Sequence, residues 1–314
     1  MTSRAPEEPA PVGKSAPVVA TVGTFDGLHT GHWSVIGAVA DRAEATGGKS
    51  VLVTFEPHPL AIVRPEAAPK RLTTAAERKE LLEGSRLDDV VVLAFTPELR
   101  AHSPRRFVTE LLVGRLGVEE LVVGHDHGFG HGRAGDTDTL ARLGAELGFS
   151  VTVRGPVREG TDIVSSSRIR QALAGGDLAD ANRALGRPYS ISGTVVRGDG
   201  RGRALGVPTA NIIVSDPDKL VPAEGVYACR ATVAGGDFAG ALHIGPRPTF
   251  PGAGTAIEVH LLDFEGDLYG SALRLRLVER LRAVVAFETA EALVEQMRED
   301  VERSREALGR ADLV

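Results

Sequence analysis

The sequence contains a single cysteine, Cys229, among 314 residues. One thiol excludes an internal disulfide and a four-cysteine zinc cluster. Long hydrophobic runs are also missing, because the longest clean apolar run, VVVLAF, is far shorter than the roughly 20 residues of a membrane-spanning helix. The first 17 residues have no apolar h-region, so a secretory signal is not expected. Together these absences predict a cytoplasmic protein without a membrane partner.

The chain also lacks a large excess of positive or negative charge. The chain has 36 basic and 42 acidic side chains, a net charge of −6, which gives no general attraction to nucleic acid. A Walker A loop is absent: GKS occurs at residues 13–15 and 48–50, but Glu8 and Ala43 stand where the first glycine of that motif belongs. No nucleic-acid partner is therefore expected, and any phosphate ligand must be held by other local groups.

The pattern of apolar residues divides the chain near residue 186, after a Pro-rich, polar stretch at 1–16 that is predicted to be a disordered tail. Across residues 17–185, five apolar runs alternate with helical spacing: VVATVG, SVLVTF, DVVVLAF, ELVVGH and SVTVRGPV. This alternation predicts an α/β domain with a doubly wound parallel sheet. Across residues 186–314, strand-like segments follow one another and an amphipathic helix comes last. That order predicts an antiparallel β-barrel or sandwich covered by a terminal helix.

The segment FDGLHTGH, residues 25–32, follows the first predicted strand, at the sheet edge where open α/β folds bind ligands. Three interpretations are open. Its glycines allow a tight turn before a helix N-terminus that binds phosphate, with His29 and His32 beside the phosphate groups. A metal site would need a third ligand, for which the candidates are His125, Asp126, His127 and His131. In the third interpretation both histidines are simply solvated in a loop.

Three further segments carry polar groups suited to phosphate or hydroxyl chemistry. SSSRIR, residues 165–170, opens a predicted helix with three hydroxyls and two arginines. In PTAN, Thr209 and Asn211 point to one side of a strand and offer oxygen ligands for Mg²⁺. Glu258 shares a strand face with His260 and could act as a general base. Each segment also has an ordinary explanation: an N-cap, a Gly-rich turn, or a solvated carboxylate.

Nine segments in order resemble the bifunctional prokaryotic riboflavin kinase/FMN adenylyltransferase (FAD synthetase) family, from about Val18 to Leu308. They are TVGTFDGLHTGH, VTFEPHP, VVGHDHGFGHGRAGD, SSSRIR, GRPYSISGTVVRGDGRGRALGVPTANI, EGVYA, IGPRPTF, IEVHLLDF and GDLYG. The resemblance implies a first domain that is an HxGH nucleotidyltransferase with a Rossmann-like sheet. It also implies a second domain that is a riboflavin-kinase barrel. The implied partners are riboflavin, FMN, FAD and ATP, with Mg²⁺ as the cofactor that accompanies ATP.

The resemblance also implies residue roles. In the first domain, His29 and His32 are the catalytic residues for transfer of AMP from ATP to FMN, with release of pyrophosphate. The implied ATP and phosphate ligands there are Gly23, Phe25, Asp26, Gly31, Asp126, Ser165, Ser166, Ser167 and Arg168. In the second domain, Glu258 takes the proton of the ribityl 5′-hydroxyl, while Thr209 and Asn211 hold Mg²⁺. The implied ATP and flavin ligands there are Gly198, Gly202, Gly206, Pro208 and Arg247.

Four residues depart from the family pattern: Trp33, His127, His243 and Pro246. They leave the phosphate-handling residues intact, so they bear on flavin selectivity and turnover. They leave three alternatives to the two-activity enzyme: a paralogue with one activity, a paralogue that acts on a modified flavin, and a non-catalytic flavin-binding regulator. Self-association into a homo-oligomer is also open.

Overall fold

The computed structural model describes residues 16–130, 134–198, 200–246 and 255–311. The predicted disordered tail lies, apart from Ala16, outside the described residues. By packing, the chain divides into two compact units, Met1–Ser165 and Ser166–Val314. In the described part of the chain, no helix combines the length and apolar character that a membrane crossing requires.

The first unit is an α/β layer structure. Its main strands are β1 (Val18–Val22), β2 (Lys49–Glu56), β3 (Asp89–Ala94), β4 (Val118–Gly124) and β5 (Ser150–Arg154), with a small hairpin of β6 (Arg158–Glu159) and β7 (Asp162–Ile163). Its helices are α1 (Thr30–Thr46), α2 (Pro59–Val63), α3 (Ala75–Glu83), α4 (Pro97–Arg100), α5 (Pro104–Phe107) and α6 (Thr137–Leu147), with a 3₁₀ turn at Pro65–Ala67 and a π-helical turn at Val108–Val113. The five main strands form one sheet of order β3-β2-β1-β4-β5, and all neighbours are parallel. The predicted parallel sheet is confirmed.

Strand β1 shows why its own run of residues is continuously apolar. All five of its residues are buried, because helices cover both faces of the sheet. Val18 packs in one core cluster with Phe107, while its neighbour Val19 packs in another with Val35 and Val39 of α1. Full burial of one such valine contributes about 2 kcal/mol. The central strand is thereby held firmly, and so is the turn that leaves its carboxyl end.

The second unit is a closed barrel. Its strands are β8 (Tyr189–Val196), β9 (Ala210–Val214), β10 (Gly225–Val233), β11 (Gly236–Pro246), β12 (Thr255–Leu261) and β13 (Ala272–Arg282). Its helices are α7 (Ser166–Gly175), α8 (Leu178–Leu185), α9 (Arg201–Ala204) and α10 (Ala290–Ala311). The barrel runs β10-β11-β12-β9-β8-β13 and closes through antiparallel pairing of β13 with β10. The structure confirms the barrel with a terminal helix, and the sandwich is not formed.

Helices α7 and α8 pack on this barrel. The side-chain amide of Asn182 donates to the carbonyl of Leu277 at 3.0 Å and its oxygen accepts from the backbone N–H of Tyr189 at 2.8 Å. Residues 166–185 therefore group with the barrel. The domain limits expected from the sequence, 17–185 and 186–314, differ from these packing units and stay a prediction.

Helix α10 covers one side of the barrel. Ala307 and Leu308 pack in a cluster with Val226 and Leu281 of the barrel strands. Near the middle of the helix, the carboxylate of Asp300 accepts two hydrogen bonds from Arg282, at 2.8 and 2.6 Å. Asp300 is only 4% exposed, so this ion pair is a buried link between the helix and the last strand.

Candidate active sites

The turn between β1 and α1 contains the segment FDGLHTGH in an uncommon backbone conformation. Phe25, Gly27 and Leu28 all have positive φ values, of 48°, 85° and 40°. Positive φ costs energy for residues with a Cβ, and such strain concentrates at functional sites. The side chains of Phe25 and Leu28 are buried together, and Trp33 packs partly buried against their cluster. Packing of this apolar cluster therefore supports the strained turn.

A buried carboxylate joins this turn to the segment before α3. Asp26 is 3% exposed and accepts from the backbone N–H groups of Leu72 and Thr73, each at 3.0 Å. The hydroxyl of Thr73 in turn accepts from the N–H of Gly27 at 3.1 Å. These hydrogen bonds of Asp26 and Thr73 fix the orientation of the turn between β1 and α1. A direct role of Asp26 in ATP binding stays a prediction.

A second link was missed by sequence reasoning. Arg78 of α3 donates to the carbonyl of Thr24 in the turn at 3.1 Å, and to Glu56 at the end of β2 at 2.8 Å. A capping box of Thr74 and Glu77 starts the helix that carries this arginine. The periodicity of the helix gives no signal that Arg78 faces the turn, because that depends on how α3 packs on the sheet.

The two histidines lie at the N-terminus of α1. His29 is the N-cap residue, and its Nδ1 accepts from the backbone N–H of His32 at 3.2 Å. Because Nδ1 accepts, the neutral ring of His29 carries its proton on Nε2. The two rings stack with centroids 3.6 Å apart, and the edge of Phe25 meets His32 at 5.2 Å. The arrangement combines imidazoles with the positive end of a helix dipole, which suits an anionic ligand.

Two glycines allow this packing. A Cβ at Gly31 would lie 3.1 Å from Nδ1 and Cε1 of His29, so a side chain there would press on the imidazole. A Cβ at Gly23 would lie 3.2 Å from the ring of Phe25, while the N–H of Gly23 donates to the carbonyl of Val53 at 3.0 Å. A side chain at either position would thus press on a neighbouring ring, and a role of Gly23 and Gly31 in ATP binding stays a prediction.

The end of β4 lies beside that of β1, since the two strands are parallel neighbours. The predicted residues Asp126 and His127 follow β4 and therefore lie at the same sheet edge as the turn. Asp126 is exposed, and the ring of His127 stacks on Phe129 with centroids 5.5 Å apart. Among the residues that the structure describes, no group of three or more His, Cys, Asp or Glu could hold a metal ion. His131, a candidate of the metal interpretation, lies outside the described residues.

The segment SSSRIR is placed at the start of α7. Ser165 precedes the helix, Ser166 and Ser167 open it, and Arg168 lies in its first turn. The guanidinium of Arg168 donates to both carboxylate oxygens of Asp180 in α8, at 3.1 and 2.6 Å. The predicted phosphate ligand is therefore an arginine whose orientation is held by a carboxylate.

The barrel unit contains a cavity of about 1120 Å³. Its lining includes a polar group and an apolar group of residues, which we call the polar end and the apolar end, and such a combination is common in ligand sites. The polar end is lined by Arg197, Gly198, Gly202, Thr209, Asn211 and Glu258. The apolar end is lined by Val284, Val285, Ala286, Phe287, Leu293 and Met297. The apolar stripe of α10 thus forms a wall of the cavity.

The three predicted kinase residues meet at the polar end. The hydroxyl of Thr209 donates to the carboxylate of Glu258 at 3.3 Å, and Asn211 on β9 stands directly opposite Glu258 on β12. Because the Thr209 hydroxyl donates its proton to Glu258, the lone pairs of the hydroxyl oxygen point away from that carboxylate. Hydroxyl, amide and carboxylate oxygens are the donors that a hard divalent cation prefers, so these residues fit one.

The loop before β9 needs glycine at two positions, because the side chains of Thr209 and Asn211 approach its backbone closely. A Cβ at Gly198 would lie 2.2 Å from the amide nitrogen of Asn211, and one at Gly202 would lie 2.9 Å from the hydroxyl of Thr209. Gly206 adopts a φ of 79°, which favours glycine. The loop is therefore built tightly around Thr209 and Asn211.

Pro208, the first residue of PTAN, is held by a residue to which sequence reasoning gave no role. Nδ1 of His260 lies 2.7 Å from the carbonyl oxygen of Pro208, and since the carbonyl can only accept, the imidazole donates. The alternation of β12 placed His260 on the face of Glu258 and was the available signal. Pro246 also lines the cavity, and the predicted ligand Arg247 lies outside the described residues.

Two family models cover most of the chain. The model described as FAD synthetase matches residues 13–168, and the model described as riboflavin kinase matches residues 185–308. A solved structure titled as a macrolide-efflux protein from Streptococcus pneumoniae is similar with a TM-score of 0.85 and 28% identity, over 94% of this chain and 95% of that one.

The curated relatives are similar over nearly their whole length. A bifunctional riboflavin kinase/FMN adenylyltransferase of Pseudomonas fluorescens is 41% identical over 91% of this chain and 92% of its own. Its namesake in Escherichia coli K12 is 37% identical over 93% of each chain, and that of Bacillus subtilis 35% identical over 91% of each. The chain therefore belongs to the bifunctional riboflavin kinase/FMN adenylyltransferase family.

Proposed function

We propose that this chain performs both reactions of its family, phosphorylation of riboflavin to FMN and adenylylation of FMN to FAD. The observation that carries the proposal is the meeting of Thr209, Asn211 and Glu258 at the polar end of a cavity whose other end is apolar. It is complemented in the first unit by the histidine pair at the N-terminus of α1.

In the kinase reaction, the carboxylate of Glu258 accepts the proton of the ribityl 5′-hydroxyl as that oxygen attacks the γ-phosphorus of ATP. The hydroxyl of Thr209 holds the carboxylate in place. Thr209 and Asn211 would hold Mg²⁺, and the bound ion would neutralise part of the phosphate charge. The backbone of the glycine loop closes over the phosphate chain, since no side chain at Gly198 or Gly202 stands in the way.

In the adenylyltransferase reaction, a phosphate oxygen of FMN attacks the α-phosphorus of ATP, and pyrophosphate leaves. The attacking phosphate is already ionised near neutral pH, so this site needs donors rather than a base. His29 offers its Nε2 proton, and the N-terminus of α1 offers backbone N–H groups. Asp26 and Arg78 position the turn, and we assign phosphate contacts to His32, Ser165, Ser166, Ser167 and Arg168. Asp126 is assigned to the nucleotide and flavin side of the site.

Incubation of the purified protein with riboflavin, ATP and MgCl₂ tests the proposal. Chromatography should show FMN first and FAD later, and a parallel incubation with FMN and ATP should release pyrophosphate with FAD. A folded protein that forms neither product would refute the proposal, and the non-catalytic flavin-binding regulator would then be favoured. Formation of one product alone would select a paralogue with one activity. Replacement of MgCl₂ by other divalent salts tests the choice of Mg²⁺.

Cytoplasmic location, self-association and the lack of a nucleic-acid partner stay predictions from the sequence.

A further inference from the structure

His243 is one of the residues that line the cavity of the barrel unit. It is on β11, directly opposite Glu258 on β12, so the two side chains are neighbours on one face of the barrel wall. On the same strand, Gly245 lies two residues further along, in the direction of Val284 and the apolar end. His243 is therefore adjacent both to the base of the reaction and to the apolar wall.

The backbone makes room for the imidazole. A Cβ at Gly245 would lie 2.7 Å from Nε2 of His243 and 3.3 Å from a methyl group of Val284. The ring thus lies along the strand over Gly245, in the space that a side chain at that position would occupy. A side chain at position 245 would therefore meet the ring, and Gly245 leaves the space that the imidazole occupies.

The side chain of His243 is half-buried and lines the cavity. No residue in the described ranges makes a hydrogen bond to the imidazole, although it lines the cavity. Burial lowers the pKa of His243, Arg282 lowers it further, and Glu258, Glu224 and Asp300 act in the opposite direction. A neutral imidazole has one donor and one acceptor nitrogen, a combination that matches a hydroxyl group.

We propose that His243 is a specificity-determining residue of the kinase site that hydrogen-bonds an internal hydroxyl of the substrate's polyhydroxylated side chain. The inference rests on the proposed kinase function. Adjacent strands lie about 4.8 Å apart, so His243 is a few carbon atoms along the chain from the terminal hydroxyl at Glu258. The ring system of the substrate would occupy the apolar end. His243 would hydrogen-bond the polyhydroxylated chain that joins this ring system to the terminal hydroxyl at Glu258.

Steady-state FMN-forming kinetics with two substrates test this contact. One substrate is riboflavin; the other is a flavin whose side chain is an unbranched 5-hydroxypentyl group, which keeps the reacting hydroxyl and lacks the internal ones. For His243→Ala we expect KM for riboflavin to rise about three- to tenfold, the range for one lost hydrogen bond, with kcat changed less. For the hydroxypentyl flavin, KM should be the same in His243→Ala and wild type. His243→Asn, which keeps a donor and an acceptor, should lie between Ala and wild type with riboflavin.

His102→Asn, a substitution of a partly buried histidine in the first unit, is the matched control and should leave both KM values unchanged. Riboflavin binding without ATP, followed by quenching of flavin fluorescence, gives a readout independent of turnover and should weaken in His243→Ala. An equal rise in KM for both substrates, or no rise for riboflavin, would overturn the inference. If wild type formed no phosphorylated flavin, the proposed function itself would fail, which is a different outcome from a wild type that works and a variant that does not discriminate.

Discussion

The imidazoles of His29 and His32 stack with their planes 17° apart, while the backbone of His32 donates to the ring of His29. One side chain therefore has two tasks: it caps α1 and it presents an Nε2 proton at the helix N-terminus. Gly31, between them, leaves the space for that ring. The capping task contributes to stability and the proton to chemistry, so the two can be separated by substitution.

His29→Asn should separate them. Asparagine is a favoured N-cap, so the helix start is kept while the imidazole is lost. We expect FAD formation from FMN to fall about 100- to 1000-fold, the usual effect of removing one donor to a transition state. His29→Ala should lose the cap as well, at a cost of about 1 kcal/mol in the free energy of unfolding. Chromatographic rates and thermal melting measure the two effects, and an unimpaired His29→Asn enzyme would contradict the assignment.

Gly198→Ala tests the glycine loop. The added Cβ would lie 2.2 Å from the amide nitrogen of Asn211, so Asn211 must move. We expect a rise in KM for ATP and a higher requirement for divalent cation in FMN formation, measured by titration of each. Gly309→Ala in α10 is the control: a Cβ there meets nothing within 4 Å, and alanine should stabilise the helix by up to about 1 kcal/mol. Equal kinetics in both variants would argue against the loop's close fit around Asn211.

Asp180→Asn tests the orientation of Arg168. The carboxylate receives two hydrogen bonds from this guanidinium. We expect FAD formation to fall about tenfold, because a charged pair of bonds that positions the arginine is reduced to weaker neutral contacts. FMN formation should not change. Arg183→Ala removes the other, more exposed partner of Asp180 and should leave both rates as in wild type. A loss of FAD formation in Arg183→Ala of the same size would show that the whole cluster, and not Arg168, is responsible.

Cys229 yields a prediction for alkaline pH. The thiol is fully buried on β10, and burial raises its pKa to about 12 from an ordinary value near 9. Above pH 9 the unfolded chain gives up this proton while the folded chain keeps it, so this group's contribution to stability is lost as pH rises from 9 to about 12. Native protein at pH 8 should react with a disulfide reagent only as fast as it unfolds. Cys229→Ala should show a smaller loss of unfolding free energy across that pH range, and rapid labelling of native protein would contradict the burial.

Much of the fold could be predicted from local pattern. The apolar run VVATVG is continuous because both sheet faces are covered at β1, and this continuity is visible along the sequence. In the barrel, β8 alternates buried and half-buried residues, which is equally visible. The grouping of α7 and α8 with the barrel was not visible, since it depends on contacts such as that of Asn182 with Leu277.

The residues of the candidate sites also fall into those that could be predicted from the sequence and those that could not. Thr209, Asn211 and Glu258 could be grouped by family motif and by strand alternation, and the structure brings them together. The partners that orient the other site could not be found from the sequence. Asp26 accepts a hydrogen bond from a backbone N–H 46 residues further along the chain. The type of side chain at that position does not reveal the contact. Such long-range hydrogen bonds are decided by packing and not by local propensity.

We propose that one chain carries two separate catalytic sites. Glu258→Gln and His29→Asn, assayed side by side for FMN formation from riboflavin and for FAD formation from supplied FMN, test it most directly. We predict that Glu258→Gln lowers FMN formation about 100-fold or more, as expected for loss of a general base, and leaves FAD formation at the wild-type rate. His29→Asn should do the reverse. Loss of both activities in either variant, with the protein still folded, would contradict the claim.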